Sequence, residues 1–128
     1  MTTLPGNAAC PCGGSSFGDC CAPFLRREAW PATAEQLMRS RYTAFALGDS
    51  EHLLRTWHPR TRPETLRLVN RDWVGLAITE RVDGTCDDQM GIVGFTAHWV
   101  AGHDHGSQSE RSAFVRRGGR WVYLAATP

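Results

Sequence analysis

At 128 residues and 14.2 kDa the chain has room for one domain with a small appendage, and its 41% hydrophobic and 21% charged residues exclude a disordered or fibrous polymer. A formal net charge of +1, with arginine supplying every basic residue apart from histidine, gives no global pull toward nucleic acid, membranes or acidic partners. The opening MTTLPGNAAC has no basic segment followed by an apolar run, and no apolar stretch approaches the roughly 18–20 residues that span a bilayer, so the cytoplasm is the expected compartment.

The first feature in chain order is CPCGGSSFGDCC, residues 10–21, which holds four of the five cysteines in the pattern C-x-C-x7-C-C. Cys10, Cys12, Cys20 and Cys21 supply four thiolates, a complete tetrahedral set for zinc that leaves no position for water or substrate, so the site would be structural. Gly13 and Gly14 let the chain double back and free backbone amides to donate to the sulfurs. Two disulfides are disfavoured by the reducing compartment and a redox couple by the lack of C-x-x-C, but both stay open as alternatives. Cys86, far away in DGTCDDQ, reads as a bystander thiol.

CPCGGSSFGDCCAPF resembles the SEC-C motif, a short zinc-binding segment at the C-terminal end of the SecA translocation ATPase and in unrelated bacterial proteins. The resemblance implies one structural Zn2+ on Cys10, Cys12, Cys20 and Cys21. It also implies an adaptor role, because the SecA segment contacts partner proteins. The usual gap between the second and third ligands is eight residues; here it is seven, so the loop closes more tightly.

From Trp30 the composition changes. PATAEQLMRSRYTAFALGD has Thr33 at capping-box distance from Gln36, a stripe of Met38, Tyr42 and Phe45, and Gly48 as its stop, which predicts an amphipathic helix. Asp49 caps a shorter helix through Leu53, Leu54 and Trp57, ended by Pro59. TRPETLRLVN repeats the signal with Thr61, Pro63 and Glu64 and predicts a third. WVGLAITERV alternates Val74, Leu76 and Ile78 against Gly75, Ala77 and Thr79. DQMGIVGFTAHWVAG places Phe95, Ala97 and Trp99 on one side, and SERSAFVRR and RWVYLAA complete a run of strands joined at Asp83-Gly84, Gly102 to Gly106 and Gly118-Gly119. The expected fold is α+β, about three helices covering one face of a curved antiparallel sheet of about four strands.

That arrangement resembles the cone-shaped NTF2-like fold. The segments LMRSRYTAFALGDSEHLLRTWHP, VGLAI, GFTAHW and ERSAFVRRGGRWVYL, with the preceding cysteine motif, resemble the YchJ family, which pairs SEC-C segments with an NTF2-like domain. The division expected is a zinc knuckle over residues 1–29 and the NTF2-like domain over 30–128.

If Phe114 faces inward, Ser112 and Glu110 follow it, placing a carboxylate opposite Arg41, Trp57 and His58. Glu110 and His58 could then act as acid and base in an enzyme; the plainer alternative pairs Glu110 with Arg41 or Arg111 and leaves His58 at its helix end. Trp57 and Trp99 read as core, and His98, His103, Asp104 and His105 as a solvated hairpin loop before a metal site. Arg55, Arg60, Arg62, Arg67 and Arg71 form the one locally basic stretch, able to meet nucleic-acid phosphates or an acidic protein, but it lacks the interleaved aromatics of a single-strand binder and reads first as a solvated helix face. The outer sheet face, with Thr96, His98 and Val100, is a candidate homodimer surface. The leading expectation is a non-catalytic binding or adaptor module with a protein partner; the competing one is an enzyme working in the cone.

Overall fold

The computed structural model describes residues 4–68 and 71–128. Its N-terminal segment folds back on itself through an antiparallel bridge between Ala9 and Ser16, then passes through a 3-10 turn, Phe17–Asp19, into the one-turn helix α1, Ala22–Leu25.

The main helix, α2, spans Ala34–Leu47. Its N-terminus is closed from both directions: the Gln36 N–H donates to Thr33 Oγ1 at 3.1 Å, and the Gln36 side chain accepts from the Ala32 N–H at 2.8 Å. It ends at Gly48, whose φ of 78° lies in the left-handed region that glycine enters without strain. Asp49 then caps α3, Ser50–Arg55, by accepting from the His52 N–H at 3.0 Å.

The third helix expected from TRPETLRLVN does not form over residues 61–68; Val69 and Asn70 lie outside the described residues. The hydroxyl that would cap it is used elsewhere, because Thr61 Oγ1 donates to the Leu124 carbonyl at 2.6 Å and ties this segment to the sheet. Trp57, expected on the stripe of the second helix, lies two residues past its end.

Four strands form an antiparallel meander in the order of the chain: β1 Asp72–Asp83, β2 Met90–Ala101, β3 Asp104–Arg117 and β4 Arg120–Thr127. The Gly118-Gly119 turn has φ of 61° and 81°, the two positive values that a tight hairpin turn requires. The loop expected over Gly102 to Gly106 contracts to Gly102 and His103, because Ala101 already pairs with Asp104.

Register decides which side chains face inward. On β2 and β3, Gly91 pairs with Phe114, Val93 with Ser112, Phe95 with Glu110, Ala97 with Gln108 and Trp99 with Gly106, so Phe114, Ser112 and Glu110 share one face as the pleat demands. Val74 corrects the expected alternation of β1. A bulge between Trp73 and Gly75 shifts the strand by one residue, turns Trp73 inward and leaves Val74 60% exposed. Trp99 is not a core residue: it is half-buried at the rim, packed against Gly106, with the Arg71 guanidinium 4.2 Å from its ring centre. Thr96, His98 and Val100 point to the outer side, where Thr96 Oγ1 and Ser109 Oγ bond at 2.8 Å.

α2 packs against β1, β2 and β4. Leu37, Phe114 and Trp121 are fully buried, and the same continuous core takes in Cys10, Cys12, Phe17, Cys21 and Ala22. The cysteine segment and the sheet domain therefore share one interior. The edge of β4 is covered where the Tyr123 N–H donates to the Thr56 carbonyl and the His58 N–H to the Tyr123 carbonyl, both at 2.8 Å. Among the described residues no helix is long and apolar enough to cross a membrane.

Candidate metal centre and the cleft of the cone

The hairpin closed by the Cys10 N–H to Ser15 carbonyl bond, 3.1 Å, brings Cys10 and Cys12 over the 3-10 turn that presents Cys20 and Cys21. All four Sγ atoms lie within 4.8 Å of one another. The Cys10–Cys12, Cys12–Cys20 and Cys20–Cys21 separations are 3.6, 3.5 and 3.9 Å. Each sulfur can give one ligand atom, so the group can hold a metal ion.

The backbone around the sulfurs leaves them no spare room. A Cβ on Gly14 would sit 2.8 Å from Cys20 Sγ and 3.4 Å from Cys12 Sγ, so glycine is required there by close approach. Gly13, with φ of 86°, makes the turn, and its N–H donates to the Cys10 carbonyl at 3.0 Å rather than to a sulfur.

The thiols perturb one another strongly. Hydrogen bonds, first from the Cys12 thiol and then from that of Cys21, hold Cys10 well below the usual thiol range. Burial pushes Cys20 up to about 12, and the bond to Cys10 raises Cys21. A divalent cation at the centre would instead favour the thiolate at every ligand.

Helix α2 carries the cluster on one side. Thr43 Oγ1 donates to Cys21 Sγ at 3.3 Å, and Arg39 Nη1 donates to the Cys12 carbonyl at 2.8 Å. From other positions of the same helix Met38, Arg41, Tyr42 and Phe45 face a cleft against the sheet. This cleft has two lobes of about 240 and 230 Å3 that share Met38, Phe45, Phe95 and Gln108. The outer lobe is aromatic, with Tyr42 and Trp73, and has Arg67 and Arg71 at its lining. The inner lobe holds Arg41, Trp57, Glu110, Ser112 and Tyr123.

Of the residues expected to meet in a pocket, the structure therefore brings together Arg41, Trp57 and Glu110. His58 does not line either lobe: its Nδ1 accepts from the Arg60 N–H at 3.0 Å, and its backbone is held on the edge of β4. Glu110 Oε2 accepts from Ser112 Oγ at 2.5 Å and from the Tyr123 hydroxyl at 3.0 Å; Arg111, the other expected partner, pairs with Glu80.

Arg41 is 4% exposed, and burial pulls it down to about 10, so it stays cationic at neutral pH. Among the described residues only its Nη1 is hydrogen-bonded, at 2.8 Å to the Leu53 carbonyl and 2.7 Å to Thr56 Oγ1. Its guanidinium stands 5.0 Å from the Trp57 ring centre and 4.6 Å from that of Tyr123. Burial raises the Tyr123 hydroxyl and the adjacent Glu110 raises it further, keeping it a proton donor to that carboxylate. Gln108 and Tyr123 also line this cleft, beyond the residues that the sequence pattern points to. Gln108 was readable as the next inward position before Glu110, whereas Tyr123 depends on a β3–β4 irregularity at Ala113/Phe114 that no local pattern announces.

His98, His103, Asp104 and His105 lie along the β2–β3 turn and its flanking strand ends and, among the described residues, are not drawn into a metal-binding group; Cys86 is exposed. The basic stretch is dispersed, with Arg67 and Arg71 at the cone and Arg55 and Arg62 on another cleft.

Comparison with known proteins agrees with this architecture. Residues 33–126 match the family described as YchJ, middle NTF2-like domain. A UPF0225 protein from Chromobacterium violaceum is 45% identical over 92% of this chain and 91% of its own length, and one from Streptomyces coelicolor is 49% identical over 89% and 90%. The solution structure of a SEC-C motif containing protein from Rhodopseudomonas palustris superposes with a TM-score of 0.81 at 32% identity, covering 92% of this chain and 96% of that one. With its NTF2-like domain, four-stranded meander and N-terminal cysteine cluster, the chain belongs to the UPF0225 (YchJ) family.

Proposed function

We propose that this protein is a non-catalytic binding module in which a structural zinc knuckle braces α2 and the cleft behind that helix receives a small amphipathic molecule. Zinc suits the sulfur cluster: at a Zn–S bond of roughly 2.3 Å a tetrahedron has S···S edges of about 3.8 Å. Three of the six separations, at 3.5, 3.6 and 3.9 Å, bracket that value, and all six are within 4.8 Å. Four thiolates fill the coordination sphere, so the metal would order the turn and leave catalysis to nothing bound on it.

The observation that carries the binding reading is the buried Arg41. It faces an otherwise largely apolar cleft beside Glu110, with one of its nitrogens satisfied by protein and no carboxylate paired to it among the described residues. A few convergent polar groups in an apolar cavity are the usual lining of a small-molecule site. The acid–base reading loses support because His58 lies outside the cleft.

The test uses 8-anilinonaphthalene-1-sulfonate, an aromatic anion suited to the aromatic outer lobe and to Arg67 and Arg71. Saturable binding of one dye per chain, abolished by Phe45→Glu at the partly exposed wall, is the expected result. A folded wild-type protein that gives no saturable enhancement would end this reading.

A further inference from the structure

Trp57 also lines a second cleft, of about 260 Å3, bounded by Trp30, Arg55, Pro59, Arg62, Arg117, Arg120 and Val122. Three separate parts of the chain supply its four arginines: α3, the segment after it, and both arms of the β3–β4 hairpin. No carboxylate is among the described residues that line it. Glu51 and Glu64 line the adjoining groove, where Glu51 is paired with Arg27.

One of these charges is held in place, and the other three are exposed. Arg55 is anchored by its Nη2, which donates to the Phe24 carbonyl at 3.0 Å and to His52 Nδ1 at 2.9 Å. Arg117 and Arg120 stand directly opposite each other across the Gly118-Gly119 turn, a like-charge pairing that costs stability unless an anion relieves it. Trp30, between Arg55 and Arg120 at 6.0 and 5.0 Å from its ring centre, is fixed by its Nε1–H, which donates to the Trp121 carbonyl at 2.9 Å.

Guanidinium groups match phosphate oxygens through paired donors, better than a point charge does. An acidic peptide would need only the cations. Here Trp30, Trp57, Pro59 and Val122 line the same cleft as the arginines, which adds apolar surface for a base or ribose.

We propose that this cleft binds a nucleotide unit, with its phosphate on Arg55, Arg62, Arg117 and Arg120 and its base or sugar against Trp30, Pro59 and Val122. The unit can belong to single-stranded RNA or be a free mononucleotide. The site is separate from the metal centre; it shares Trp57 with the cone, but none of its four arginines lines the cone.

The experiment is fluorescence anisotropy of the full chain with a short fluorescein-labelled single-stranded RNA across a salt series, and competition by AMP. Arg117→Ala/Arg120→Ala alters two exposed residues beside a turn, and its fold is checked by circular dichroism. Arg111→Ala removes a charge paired with Glu80 outside the cleft. Expected are RNA binding, a loss of about tenfold or more in the double variant with a salt slope shallower by about 1 per lost phosphate contact, and no such loss in Arg111→Ala. Binding of AMP but not RNA, with the same dependence on Arg117 and Arg120, supports the cleft and identifies the free nucleotide as its source. The proposal is overturned if neither ligand binds, if Arg111→Ala weakens binding as much as the double variant, or if oligoglutamate competes as well as RNA at equal charge.

Discussion

His52 is 1% exposed, and among the described residues its ring is hydrogen-bonded only to Ser40 and Arg55, with the Asp49 carboxylate held on the backbone N–H instead, which gives the fold a titration that can be isolated. Arg55 can only donate, so Nδ1, 2.9 Å from Arg55 Nη2, carries no proton. The proton sits on Nε2 and is given to Ser40 Oγ at 3.0 Å, since the Ser40 hydroxyl donates to the Leu37 carbonyl at 2.8 Å. Burial, then the charges of Arg55, Arg41 and Arg27, lower this imidazole from 6.5 to about 3. The unfolded chain takes up the proton near pH 6.5 and the folded one resists it. The neutral His52 therefore contributes its full stability above 6.5 and loses it as the pH falls from 6.5 toward 3. At about 1.4 kcal/mol per pH unit, the loss reaches about 2 kcal/mol by pH 5. In His52→Asn the Oδ1 can still accept from Arg55 while the Ser40 contact goes, costing about 1–3 kcal/mol at pH 8. Urea midpoints of both proteins between pH 8 and 5, in zinc-containing buffer, isolate the difference. Its shrinkage by about 2 kcal/mol toward pH 5 is expected; a difference that stays constant over the range refutes the reasoning.

Two further outcomes follow from local geometry. Gly14→Ala drives a methyl into the sulfurs of Cys20 and Cys12, so metal content by mass spectrometry should fall well below that of the wild type, and a full complement would show that the knuckle can widen. Thr33→Ala removes the acceptor of the Gln36 N–H and should cost about 1 kcal/mol of stability in urea; no change would mean that water replaces the cap.

How much of this was readable in advance depends on range. The α2 signal was complete within sixteen residues, since the cap, the stripe and the terminal glycine are all local; the cap and the glycine form as expected and Met38 and Tyr42 are buried, while Phe45 at the end of the stripe is left exposed. The inward set Phe114, Ser112 and Glu110 was legible because pleating enforces alternation in an unbroken stretch of β3. Val74 failed because a bulge, set by pairing with β2, reverses that alternation. TRPETLRLVN carried a sound capping pattern, yet Thr61 bonds to a strand 63 positions away. His58 misled for the same reason, since its backbone pairs with β4. The cluster of Arg55 and Arg62 with Arg117 and Arg120 is invisible in the chain because turns distant in sequence assemble it.

The two bulges of β1, at Trp73/Gly75 and Ile78/Glu80, matter beyond the side chains they reorient. β1 is an edge strand of the sheet, paired among the described residues only with β2, and so offers its outer row of peptide groups to an extended chain. A straight edge would be a template for adding strands without limit. Each bulge interrupts the spacing and increases the twist, so an incoming strand meets matched partners over only a few residues at a time. Asp72, Glu80, Arg81 and Asp83 add charge along the same strand. The irregularity that turns Trp73 toward the cone thus also works against strand addition along this edge.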